Sequence, residues 1–162
     1  MALLYGYKYF KAGHIVYFPV ANPSGFAKSI RNTFPSNRDP NRDFPVDRNI
    51  DCYNTNAALI VDHLFRTYSF DLSLMLHQGA TEIGFNWGTI THAANSHTED
   101  YDIQLGIAQM MARVGGENKG LGMKEFRVGT MNEAIYPATG TLDDWAYAVG
   151  KYPEIITKCA GY

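Results

Sequence analysis

FDLSLMLHQGATEIGFNW, residues 70–87, is the stretch on which the fold turns. Phe70, Leu72, Leu74 and Leu76 alternate with Asp71, Ser73 and Met75, the two-residue period of a strand with one buried face. The alternation stops at His77-Gln78-Gly79, which places an imidazole where a strand ends and a glycine where the chain can turn. Ligands of open α/β sheets gather at the carboxyl ends of strands, so His77 is a candidate site residue. The simpler alternative is a hydrogen-bonded structural histidine.

Upstream of this stretch, Asn54 or Thr55 can cap a helix running to about Thr67, with Ala58, Val61, Leu64, Phe65 and Tyr68 on one apolar face. Residues 14–20, HIVYFPV, are rich in β-branched and aromatic side chains and read as a strand ending near Pro19. Strand, loop, helix and strand in this order resemble a parallel crossover. The turn signal Asn22-Pro23-Ser24-Gly25 opens a long aperiodic region, residues 26–51, containing Arg31, Arg38, Arg42 and Arg48. A loop of that length inside a compact domain is functional or disordered. Residues 1–11 read as the tail of a helix and make a poor signal peptide, with no basic start and no clear cleavage site.

Downstream, residues 88–97 are polar and turn-like, and Thr98 caps a second helix with Glu99, Asp100 and Asp102 at its positive end. Ile103, Ile107, Met110, Met111 and Val114 form its expected buried stripe, ended by Gly115-Gly116. Residues 124–128 read as a short strand and 142–149 as a third helix. The expected fold is therefore α/β: a mixed, mostly parallel twisted sheet with helices on both faces, incomplete at both ends.

The 162 residues suffice for one domain, with 46% hydrophobic and 19% charged residues. A net charge of −2 gives no reason to expect nucleic acid as a partner, and no apolar run approaches a membrane-spanning length. Cys52 and Cys159 could bridge in an oxidising compartment or remain separate thiols. No G-x-S-x-G elbow, phosphate loop or H-x-x-E pair is present. His97 and Asp100 are spaced H-x-x-D, but lie at a helix start where capping roles are ready for both.

The segments NPSGFAKSIR, DPNRDF, LHQGATEIGFNWG and IYPATGTLDDWAY remain. Their order and content resemble the zinc metallocarboxypeptidases, the carboxypeptidase A/B or funnelin family, from His14 to about Trp145. NPSG is similar to the family's Asn-Pro-Asp-Gly turn, with Ser24 in place of aspartate. DPNRDF is similar to its Asp-x-Asn-Arg-Asn segment, with Asp43 in place of the second asparagine. The stretch after Tyr136 resembles the family's tyrosine, small-residue turn and acidic-Asp-Trp helix start.

That resemblance implies Zn²⁺ as cofactor in the complete protein and a peptide or protein C-terminus as partner. His77 would be the third zinc ligand. Arg31 would polarise the scissile carbonyl, with Arg38 as its rival. Asn41 and Arg42 would grip the terminal carboxylate, a task suited to a guanidinium fork. Tyr136 would close over the C-terminal residue, and Asp39 would orient a zinc histidine without itself touching the metal. Asp143 would form the floor of the specificity pocket and favour Lys or Arg, unless it simply caps its helix with Asp144. The family's H-x-x-E motif and late catalytic glutamate have no counterpart here, and Glu154 is not promoted to that role. The expectation is a single partial catalytic domain over residues 1–162, inactive in isolation. A metal-free module of the same fold that binds carboxylates is the alternative.

Overall fold

The computed structural model describes residues 11–46, 53–77, 79–89, 97–117 and 126–151. Its regular elements are α1 (Asn56–Thr67), β1 (Glu82–Phe85), α2 (Tyr101–Glu117), β2 (Arg127–Thr130) and α3 (Leu142–Lys151). Two short helical turns, Pro23–Phe26 and Pro40–Arg42, precede α1, and a π turn, Met131–Ile135, follows β2.

β1 and β2 pair in parallel, with Ile83 opposite Val128 and Gly84 opposite Gly129. Parallel neighbours need a long crossover, and α2 lies within it. Successive strand residues face opposite sides. Phe85 packs edge-on against Tyr101 of α2 (centroids 5.5 Å apart). Gly84 instead faces the π turn, where a Cβ would lie 2.7 Å from Met131 Sδ. Helical segments therefore cover both faces of this small sheet, and the chain is α/β as expected.

Several elements differ from the sequence expectation. Residues 70–77 run outside any ladder, with Leu72, Leu74 and Leu76 at 56%, 57% and 86% exposure. The alternation predicts a face that nothing in the described chain covers. Residues 14–20 also run without a ladder, and Ile15, Val16 and Tyr17 are exposed. The parallel crossover is real but lies one unit later, from β1 to β2. The third expected strand begins at Arg127.

Along α2 the buried side is also different. Ile103, Ile107, Met110 and Val114 are exposed, whereas Ala108 is 4% exposed and Gly115 packs against Phe126. A helix apolar on two sides leaves periodicity ambiguous, and the side with small residues lies against the sheet. Asp100 accepts from Tyr147 and pairs with Lys151, while His97 stacks on Tyr101. These are structural uses, but they tie the helix start to α3 and to its own first turn rather than supply the caps expected.

The main core lies between α1 and α3. Trp145, fully buried, is packed by Phe44, Tyr53 and Phe65. Ala58 and Val61 supply the apolar side of α1, and Thr55 caps it by accepting from Ala58 N. Tyr68, assigned to the same stripe, is 49% exposed. Tyr53 donates to Asp62 at 2.8 Å inside this core, and Arg66 closes on the other carboxylate oxygen at 2.6 Å. Burial, reinforced by Asp62, raises the Tyr53 pKa well above its ordinary value. No helix among the described residues is long and apolar enough to cross a membrane. Cys52, Cys159, Arg48 and Glu154 lie outside the described residues.

Candidate functional site

The Asn22-Pro23-Ser24-Gly25 turn is built around one amide. Asn22 Oδ1 accepts from Gly25 N and from the Ser24 hydroxyl, while its Nδ2 donates to the Arg31 carbonyl at 2.9 Å. A Cβ on Gly25 would collide with that amide and with the Ile30 and Asn32 carbonyls. The turn therefore requires glycine, and it fixes the backbone from which Arg31 extends. Arg31 Nε donates to Asp39 Oδ2 at 2.7 Å.

Asp39 opens the Pro40–Arg42 turn, its second oxygen accepting from Asn41 N at 3.0 Å. Its side-chain bonds among the described residues thus go to Arg31 and to the turn. At the other end of this segment, Asp43 is 4% exposed and accepts from Asn54 N, Asn54 Nδ2, Thr55 N and the Thr55 hydroxyl. The carboxylate that departs from the family pattern has a local purpose: it anchors the segment to the start of α1. Arg38 is exposed, and its backbone carbonyl accepts from Thr33. Of the two rival arginines, only Arg31 is tied to the Asp39 turn.

Asn41 joins two further elements. Its Oδ1 accepts from Leu142 N, capping the first turn of α3, and its Nδ2 lies 3.4 Å from His77 Nε2. Arg42 Nη2 donates to the Tyr136 hydroxyl at 3.3 Å, and Nη1 donates to the Asn41 carbonyl at 2.6 Å. Gly140, with φ of 75°, lets the loop after Tyr136 lie against Arg42, where a Cβ would meet the Arg42 carbonyl at 2.9 Å. Phe44 N donates to Gly140 O at 3.1 Å and closes that contact. Residues scattered from 22 to 142 thereby converge on one place.

The electrostatics follow from this crowding. His77 is exposed at the surface, yet the groups against one side of its ring partly desolvate it and lower its pKa below the ordinary value. Arg31 and Arg42 act in the same direction, opposed by Asp39. A neutral imidazole keeps a lone pair for a metal or a proton.

Asp143 and Asp144 divide their duties. Asp144 is fully buried and accepts from Asn86 Nδ2, Gly88 N and Thr89 N, so it holds the loop after β1 against α3. The buried oxygens of Asp143 make no hydrogen bond of good geometry among the described residues, although the Asp143 amide and the Thr141 hydroxyl lie close enough to favour the charged form. Burial, with the neighbouring Asp144 charge, pushes its pKa up to about 6, while Thr141 and Arg42 pull the other way. At the start of this helix Asn41 serves Leu142 N, while Asp143 draws on its own backbone amide and Thr141, as a residue of a helix's first turn can.

Comparison with known proteins gives the family. The zinc carboxypeptidase family model matches residues 8–159. The chain belongs to the zinc carboxypeptidase family. Carboxypeptidase A4 of Mus musculus is 26% identical over 165 residues, covering 84% of this chain. The chain spans 38% of that relative's length.

Zinc carboxypeptidases imply a metal, and the described residues do not by themselves fit one. No group of three or more His, Cys, Asp or Glu side chains among them could hold an ion. A catalytic zinc takes three protein ligands, more than the described residues bring together. What the site does offer is a guanidinium, a carboxamide and a phenol suited to a carboxylate, with a second guanidinium close by. Sequence reading missed three contributors: Asp43, Asp144 and Gly140. Each sat inside a quoted motif, but their importance lies in backbone donors and contacts far along the chain.

Proposed function

We propose that this chain carries the substrate-holding side of a zinc-dependent carboxypeptidase, which in the complete protein removes C-terminal residues from peptides or proteins. The observation that carries this reading is the approach of Asn41 and Arg42 to His77 and Tyr136 from distant parts of the chain. Arg42 and Asn41 bind the terminal carboxylate, for which two parallel guanidinium donors are well shaped. Tyr136, half exposed and bonded to Arg42 through its hydroxyl, covers the C-terminal residue. Arg31 presents positive charge to the scissile carbonyl, where it stabilises the developing oxyanion. His77 is the one metal ligand that this chain contributes, and Asp39 supports the constellation from behind.

Asp143 sets a preference for Lys and Arg. A buried carboxylate with little hydrogen-bond support favours a cationic side chain once ionised. On this reading the 162 residues alone hydrolyse no peptide, because no H-x-x-E motif occurs among them. The test is zinc analysis and peptide turnover for these residues and for the product of the complete gene. Turnover by the isolated chain, or none by a zinc-loaded complete protein, would overturn the reading.

A second reading is a metal-free module that binds C-terminal carboxylates. The observation favouring it is the cluster of Asn41, Arg42 and Tyr136 without a group of three or more metal donors among the described residues. Stoichiometric binding of N-acetyl-arginine by the complete protein without bound zinc or hydrolysis would select this module.

A further inference from the structure

We propose that Asp39 is the positioning residue for Arg31, setting the reach between that guanidinium and the Asn41-Arg42 carboxylate clamp. The inference rests on the peptidase reading above, and it adds a task for Asp39 beside the orientation of a zinc histidine. Asp39 is bonded in three directions at once. Oδ2 takes Arg31 Nε at 2.7 Å, Oδ1 takes Asn41 N at 3.0 Å, and its backbone carbonyl takes Arg42 N at 3.1 Å.

The chemistry of a guanidinium makes this choice of nitrogen informative. A carboxylate at Nε holds the group from its side and leaves the terminal fork for another anion. Arg31 is 52% exposed along its side chain while Asp39 is 22% exposed, so the anchor is much better covered than the group it holds. A free arginine on the surface samples many rotamers, and ordering it at the moment of reaction has an entropic cost. With Asn22 fixing the Arg31 carbonyl and Asp39 fixing Nε, both ends of the residue are placed beforehand. If Asp39 served only to cap the Pro40–Arg42 turn, Oδ1 alone would suffice.

The test compares wild type, Arg31→Ala, Asp39→Asn and the double variant in the product of the complete gene, loaded with zinc. The substrate is a blocked dipeptide ending in arginine. Arg31→Ala should lower kcat by about 10²–10³-fold, the usual consequence of deleting one oxyanion donor. Asp39→Asn should lower kcat about 10-fold with KM and N-acetyl-arginine binding changed less than about 2-fold, and should have almost no further effect without Arg31. Asp39→Glu keeps the charge but moves it by one methylene. It should show the same kcat-selective loss if the asparagine variant folds poorly. Independently of turnover, a slowly exchanging Arg31 Nε–H resonance should be seen by NMR in wild type and lost in Asp39→Asn. An equal loss in both backgrounds, a loss confined to KM, or no such resonance overturns the positioning role and leaves the peptidase reading intact. An Arg31→Ala variant with full kcat overturns the role of Arg31 itself.

Discussion

Arg42 donates to the hydroxyl of Tyr136 at 3.3 Å, across 94 positions of sequence. In the free chain the guanidinium assigned to the substrate carboxylate is thus already engaged by the phenol assigned to cover that substrate. A carboxylate entering the site competes with a neutral acceptor, and a charge-assisted pair is roughly twice as strong as a neutral one.

Arg42→Ala should weaken N-acetyl-arginine binding by about 10²-fold or more, while Arg42→Lys should lose about 10-fold because it keeps the charge without the fork. Tyr136→Phe should leave affinity within about 3-fold, since it also frees Arg42. Calorimetric titration of the three variants checks the order.

Asp143 supplies a pH dependence with a definite sign. Its pKa lies at about 6 against an ordinary 3.8, so the folded state holds this proton more tightly than the unfolded chain. Stability should therefore fall as pH rises from about 4 to about 6, by up to about 3 kcal/mol in total from this group. Asp143→Asn should unfold at higher denaturant than wild type at pH 7.5 and show no such advantage at pH 4. Preference for arginine over leucine ligands should grow over the same interval and vanish in the variant. Parallel urea melts and competition binding at the two pH values read both effects.

Asp144 should behave in the opposite way. Removing its carboxylate strands the buried donors Gly88 N and Thr89 N, each unsatisfied group costing about 1–3 kcal/mol. Asp144→Ala is expected to lose about 3–5 kcal/mol, enough to abolish cooperative unfolding in a marginal domain. Asp43→Ala should be similarly severe, because four donors at the start of α1 converge on it. Thermal melts of these two variants beside Asp143→Asn separate the two anchoring acids from Asp143 by sign.

Gly140→Ala should destabilise by about 1–3 kcal/mol, since it adds a methyl group at positive φ directly against the Arg42 carbonyl. A shift of the Arg42 backbone should also weaken the clamp. N-acetyl-arginine titration, with the melt as control, distinguishes these two effects.

The sequence made some of this legible for clear physical reasons. Thr55 and the 3–4 spacing behind it mark α1 because a capped helix carries its boundary in local side chains. NPSG marks its turn because Asn22 bonds within three residues of itself. β1 went unseen because Glu82, Ile83, Gly84 and Phe85 show no alternation; Gly84 is there for Met131, which lies across the sheet. The buried side of α2 was misjudged because Ala108 and Gly115 gain from close approach, which hydrophobicity does not register. In the site, Asn41, Arg42, His77 and Tyr136 could be gathered only through resemblance, since no local pattern links residue 42 to residue 136. Asp144 could not be told from Asp143 without knowing where the backbone of Gly88 and Thr89 runs.

Leu72, Leu74 and Leu76 project from one side of an extended segment that lies outside any ladder. Such a rail suits any second strand that reaches it, including its own twin on another molecule. Solutions of the chain by itself should thus thicken with concentration, and a single lysine at position 74 should act as a bumper that keeps neighbours apart without disturbing the clamp.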